Sequence, residues 1–117
     1  MTEQPQISIQ LVSSVIYAHV STDEQAKGYS LQTQIEGCKQ YADLKGYVIL
    51  AIFTDDYTGE SLDRPGLDDM RSFIRANHVD AIIILDVDRW ARKSIYQMLL
   101  EDEFSHAGLS IEYVIGQ

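Results

Sequence analysis

Five consecutive apolar residues, Ala81-Ile82-Ile83-Ile84-Leu85, constrain the fold more than any other feature of this chain. A strand with one wet face alternates apolar and polar side chains, whereas a strand without alternation is buried on both faces. Such a strand belongs in the middle of a parallel sheet, with helices covering it above and below.

The surrounding sequence supplies those partners. Residues 10–20 hold the β-rich run Val15, Ile16, Tyr17, Ala18 and Val20, closed by the cap signal Ser21-Thr22-Asp23. Ser30 is placed to cap a helix ending at Lys45, with Leu31, Ile35, Cys38 and Ala42 at helical spacing and Gly46 as its stop. A second strand spans residues 47–53, and the polar residues 55–63 read as a loop. Pro65 opens a helix whose apolar face is Leu67, Met70, Phe73 and Ile74, and Asn77-His78 ends it. After the strand at 79–85 come a polar turn at 86–92, a helix to about Ala107 stopped by Gly108, and a fourth strand at 109–115. The order βαβαβαβ predicts a mostly parallel sheet of four or more strands flanked by helices on both faces, a Rossmann-like three-layer α/β fold. Ligand sites in such sheets lie at the carboxyl ends of the strands. Three polar clusters fall there, at residues 19–25, 55–64 and 86–92, and should converge.

At 117 residues the chain is one domain. Residues 1–14 form a leader and the start of the first strand; residues 15–117 form the domain. No apolar run approaches the roughly 20 residues of a membrane span. The first 14 residues lack the basic start and apolar stretch of a signal peptide. The single cysteine, Cys38, excludes an intrachain disulfide and a cysteine metal cluster, and fits a reducing cytoplasmic compartment. The net charge of −9 argues against strong binding of DNA by this segment alone, because phosphate neutralisation supplies most non-specific affinity.

Taken singly, the polar residues have bland readings. Ser21 serves as a helix cap, and Arg89 and Arg92 as a solvated pair. His78 and His106 sit at helix ends, Cys38 on an apolar face, Trp90 packs its turn or stacks near DNA, and Glu101-Asp102-Glu103 is a solvated face. Arginines three apart at a helix start can nevertheless hold a phosphate, helped by the helix amino end, and Arg64 is a third cation expected at the same edge.

Read in order, the motifs resemble the serine recombinases, the group of resolvases, invertases and large integrases. Tyr17-Ala18-His19-Val20-Ser21-Thr22-Asp23-Glu24-Gln25 is similar to that family's Tyr-x-Arg-Val-Ser-Thr-x-x-Gln. Gly28-Tyr29-Ser30-Leu31-Gln32-Thr33-Gln34 is most like the large integrases. Thr54-Asp55, Gly59, Arg64-Pro65-Gly66-Leu67 and Asp88-Arg89-Trp90-Ala91-Arg92 follow at family-like separations. The resemblance implies a site-specific DNA recombinase. In it a serine, here Ser21, attacks a phosphodiester to give a 5′-phosphoserine link, and no metal or other cofactor takes part. It implies that Arg89 and Arg92 clamp the phosphate, that Arg64 assists, and that Asp88 orients an arginine or handles a proton. Gln25, Gln34 and Asp55 would support the site. It further implies DNA and other copies of the chain, as dimer and tetramer, as partners, with a long helix and DNA-binding domains beyond Gln117.

One position departs from the pattern: His19 stands where the family has arginine, which predicts impaired cleavage. Two alternatives follow. A catalytically inactive recombinase-like module would serve assembly or regulation. A receiver-like phosphoacceptor domain would use Asp55, Asp56, Asp86 and Asp88 around magnesium, but it explains neither Ser21 nor the arginines.

Overall fold

The computed structural model describes residues 10–20, 29–56, 64–86 and 94–115, with side chains in the last stretch from residue 98. Four strands and three helices alternate along it: β1 Ser13–Val20, α1 Leu31–Lys45, β2 Val48–Asp56, α2 Pro65–Ala76, β3 Ala81–Asp86, α3 Ser94–His106 and β4 Ser110–Ile115. The strands form one sheet in the order β2-β1-β3-β4, and every pairing is parallel.

The unbroken apolar run of β3 is explained by cover on both faces. Ile82 and Ile84 join Val15 and Tyr17 of β1 under Leu67 and Met70 of α2 and Leu100 and Phe104 of α3. Ile83 and Leu85 point the other way, with Ile16, under Cys38 and Ala42 of α1. The sheet is therefore a middle layer, with α1 on one side and α2 and α3 on the other.

Local chemistry sets the ends of the helices. The Ser30 hydroxyl accepts the Thr33 N–H at 3.1 Å, an N-cap. Gly46 ends α1 at φ 74°, in the left-handed region where a side chain would be strained, and Tyr47 N–H closes back on the Ala42 carbonyl at 2.9 Å. The buried stripe of α1 is Gln34, Cys38 and Ala42, whereas Leu31 and Ile35 are only half-buried. A polar residue thus takes a core position that the hydrophobic spacing assigned to its neighbours. The second strand runs three residues beyond the expected 53, so Asp55 and Asp56 belong to β2 and not to a loop. An irregularity lets Ser14 pair with Ile49 and Val15 with Ala51. The extra residue, Leu50, puts Ile49 on the α1 face and Ala51 on the opposite one.

At the amino end of the sheet, Asp80 accepts the Ser13 N–H at 2.9 Å, the Ser13 hydroxyl at 3.2 Å and His78 Nε2 at 2.8 Å. His78 is therefore paired. The run 101–103 is also more tied than a solvated face: Glu103 receives Arg71 through two bonds of 2.8 and 2.7 Å, and Glu101 accepts the Tyr113 hydroxyl. His106 lies against the Asp102 carbonyl.

Two predictions follow from this packing. Ile83 has no solvent exposure, so Ile83→Ala should lower the unfolding free energy by about 3 kcal/mol in urea titrations. The Ser13 amide, then its hydroxyl and His78, hold the Asp80 carboxyl below its ordinary value of 3.8. A depressed carboxyl stabilises the fold above its unfolded pKa, and that contribution fades as pH falls through the folded one. Asp80→Asn should therefore flatten the acid limb of stability against pH below about pH 4, as read by thermal unfolding across a pH series.

Candidate active site

The sheet order reverses direction at β1. The chain leaves β1 toward β2 through α1, then crosses back over β1 to β3 through α2. In open α/β sheets the crevice at such a switch point is where ligands sit, outside the carboxyl ends of the strands. Here that is the space beyond Val20 and Asp86. Ser21 follows one of these strands directly, and Asp88, Arg89 and Arg92 lie just past the other.

Four of the expected site residues lie within the described residues, and all four gather at this edge. They are His19 at the end of β1, Asp55 at the end of β2, Arg64 at the start of α2 and Gln34 in the first turns of α1, all of them buried. Ser21, Gln25, Asp88, Arg89 and Arg92 lie outside the described residues, as does Trp90.

Asp55 is the hub. Its Oδ1 accepts the Gly66 N–H at 2.7 Å, and its Oδ2 accepts the Leu67 N–H at 2.9 Å. These are donors that the first turn of α2 leaves unsatisfied. The residue in the N-cap position, Arg64, makes no side-chain cap bond. A carboxylate from β2 therefore caps the helix across the chain, where it also meets the positive end of the helix dipole. Tyr17 completes the arrangement by donating its hydroxyl to Asp55 Oδ2 at 2.6 Å. Burial first, and then the bond to Asp55, push the Tyr17 phenol far above its ordinary range, while the Arg64 guanidinium works in the opposite direction. Tyr17 thus stays protonated and remains a donor.

Arg64 is 3% exposed. A guanidinium keeps its charge when buried, so this edge carries a permanent cation beside Tyr17 and Asp55. His19 is paired in register with Asp55 across the two strands, which puts both side chains on one face of the sheet. Gln34 acts on the His19 backbone: His19 N–H donates to Oε1 at 3.2 Å, and Nε2 donates to the His19 carbonyl at 2.9 Å and to the Tyr29 carbonyl at 3.2 Å.

Tyr17 received no role from the sequence, although it opens the motif that holds Ser21. The signal was available, because residues 15, 17 and 19 alternate onto one face and a buried hydroxyl needs a partner. Among the described residues, no group of three or more His, Cys, Asp or Glu is placed to hold a metal ion. No described helix is long and apolar enough to cross a membrane.

The chain is similar to known proteins in sequence and fold. The sequence model of the family described as "Resolvase, N terminal domain" matches residues 14–115. The R46 site-specific recombinase of Escherichia coli is 34% identical over 98 residues, 84% of this chain and 46% of that protein. The Transposon Tn3 resolvase of Escherichia coli is 34% identical over the same length, 84% of this chain and 48% of that protein. The chain thus spans about half the length of these two relatives. It spans only 20% of a Bacillus subtilis (strain 168) protein to which it is 35% identical over 103 residues. Among solved structures, the catalytic domain of ISC1926 TnpA, an IS607-like serine recombinase, superposes with a TM-score of 0.76. It is 32% identical, over 91% of this chain and 72% of that one. The catalytic domain of TP901-1 integrase shares the fold, with a TM-score of 0.75 at 24% identity, over 87% of this chain and 76% of that one.

Gly66 shows how closely α2 must approach β2. A Cβ at this position would lie 2.1 Å from the Thr54 carbonyl oxygen and 3.0 Å from Asp55 Oδ1. Backbone cannot yield as a side-chain tip does. Gly66→Ala should therefore cost about 3 kcal/mol in chemical unfolding, at the upper end of overpacking effects.

Proposed function

Because the chain belongs to the resolvase N-terminal domain family, we propose that it is the catalytic domain of a site-specific recombinase that cuts and rejoins DNA through Ser21. The Ser21 oxygen attacks the phosphorus of a DNA phosphodiester. A P–O bond to serine forms, the bond to the 3′ oxygen breaks, and the 3′-hydroxyl leaves with a proton. The 5′-phosphoserine keeps the energy of the phosphodiester, so attack by another 3′-hydroxyl reverses the step and joins new ends. The developing charge on the phosphate is met by arginines, which hold two oxygens in a planar fork and do not lose their charge. Arg89 and Arg92 are the clamp, Arg64 assists, and Asp88 orients an arginine or handles a proton. Gln25, Gln34 and Asp55 support them.

The observation that carries this reading is the buried Arg64, held beside the Tyr17–Asp55 pair at the strand edge that Ser21 follows. A permanent cation placed there suits an anionic transition state. The acidic balance of the chain, −9 overall, fits a division of labour in which other segments of the parent protein bind the duplex and assemble the dimer and tetramer. Action on DNA in the cytoplasm agrees with the bacterial relatives and with a lone, buried cysteine.

His19 favours a second reading, that of a recombinase-like module retained for assembly. It removes one fork donor from the expected set, and loss of one transition-state donor costs about a hundredfold or more in rate. Two measurements separate the readings. Full-length protein incubated with cognate DNA should give a covalent adduct that Ser21→Ala abolishes. His19→Arg should form the adduct about 100-fold faster. Equal rates would remove the penalty assigned to His19, and absence of adduct from both proteins would establish the assembly module. The pH profile then assigns the role of His19: a rate rising through the histidine pKa marks a general base, and a falling one marks a cation.

A further inference from the structure

We propose that α1 is a spacer bar that sets the width of the crevice between the nucleophile strand and the arginine strand, acting through Gln34, Gly37 and Cys38 and anchored at its far end by Tyr41. The positioning role is this chain's own geometry; its catalytic consequence rests on the recombinase reading above.

The two strands part company within the sheet. β1 and β3 are in register only from Ser14 with Ala81 to Ile16 with Ile83. Beyond that point β3 continues to pair with β4, through Ile84 with Tyr113 and Asp86 with Ile115, while β1 continues with β2 as far as Val20 with Asp56. Among the described residues, the central ladder therefore ends three residues before His19. Two diverging strands leave backbone groups that a missing neighbour would have satisfied, and buried groups of this kind need partners.

Residues of α1 take that place. The Gln34 amide accepts from the His19 N–H and donates to the His19 carbonyl, as the peptide of an adjacent strand would. One turn on, the Cys38 thiol reaches the Ile83 carbonyl at 3.8 Å, at the last residue of β3 that pairs with β1. Between them Gly37 packs on the Leu85 side chain of β3, where an added Cβ would come within 2.6 Å of Leu85 Cδ1. Positions 34, 37 and 38 share one helix face. The same face continues to Tyr41, whose hydroxyl donates to Glu112 Oε1 of β4 at 2.6 Å, and Tyr47 donates to the same carboxylate at 3.0 Å. One rigid helix thus touches β1, β3 and β4 in turn.

The consequence concerns distance. Ser21 lies two residues beyond His19, and Asp88, Arg89 and Arg92 lie shortly beyond Leu85. On the recombinase reading, the His19-to-Leu85 separation sets where the segments carrying the nucleophile and the phosphate clamp begin. A misplacement of about 1 Å at a reacting centre can cost about 100-fold in rate. Gln34, Gly37, Cys38 and Tyr41 are accordingly positioning residues.

The test pairs a structural readout on this chain with a kinetic one in the full-length His19→Arg protein, the form expected to react faster. Gln34→Leu should speed amide hydrogen exchange at His19 about tenfold relative to Ile16, since it opens a local bond and not the whole sheet. It should slow adduct formation at saturating DNA by about 100-fold while leaving half-saturation unchanged. Gln34→Glu, which keeps the acceptor and loses the donor, should fall between. Tyr41→Phe lies about two helical turns from Gln34 and should slow the saturated rate several-fold, again without changing half-saturation. Unchanged exchange at His19 overturns the spacer whatever the activity. Faster exchange with an unchanged saturated rate overturns its catalytic role. If Gln34→Leu does not fold, an unaltered rate in Tyr41→Phe overturns the proposal by itself. An adduct that persists in Ser21→Ala would instead defeat the recombinase reading and leave the exchange result standing.

Discussion

One carboxylate ties the functional edge together. Asp55 ends an edge strand, yet it accepts a phenol from β1 and two backbone amides from α2. A buried carboxylate is costly unless its oxygens are filled, and here three donors fill them. The helix in turn depends on it, because Arg64 at the N-cap position supplies no side-chain acceptor. If Asp55 is removed, Tyr17 loses the acceptor of its hydroxyl and the first turn of α2 loses its cap. Gly66 is a consequence of the same arrangement, since only a residue without a side chain lets the helix start against the Thr54 carbonyl.

The topology gives this cluster its purpose. A sheet whose order reverses at β1 has one crevice between strands that do not pair fully, and it opens at the carboxyl ends. β1 ends there at Val20, β3 ends there at Asp86, and α2 brings Arg64 from one face. Gln34 on the opposite face stabilises the strand end that precedes Ser21. The stability of the fold and the geometry of the site thus share residues, and substitutions around Asp55 act on both.

Most of the architecture was legible in the sequence because its signals were strong and local. The run 81–85 demanded cover on both faces. Ser30, Gly46 and Pro65 marked helix ends that the structure keeps. Of the residues the family motifs pointed to, the four within the described residues converge at the carboxyl edge of the sheet. What escaped was non-local. Nothing near Gln34 announces that its amide will replace a strand, so hydrophobic spacing gave the buried stripe to Leu31 and Ile35. Nothing near Asp55 announces a cap for a helix ten residues later, so it read as the start of a loop. The partners of Tyr17, Glu101 and Glu103 likewise lie on other elements, where periodicity carries no information. Polar side chains that bond across the fold are silent in a pattern of apolar positions.

The same logic separates His19 from Arg64. Arg64 is buried without loss of charge, because a guanidinium does not deprotonate within a protein. An imidazole in the same environment faces the opposite pressure, since burial favours its neutral form. His19 has 1% of its surface exposed and sits in register with Asp55. An adjacent carboxylate opposes that pressure by favouring the charged form. Asp55 also accepts the Tyr17 hydroxyl and two amides at the start of α2. On the proposed reading, the edge therefore keeps one cation that is independent of pH and has exchanged another for a group whose charge depends on it. Around it, Gln34 holds the His19 backbone and Asp55 keeps its three donors.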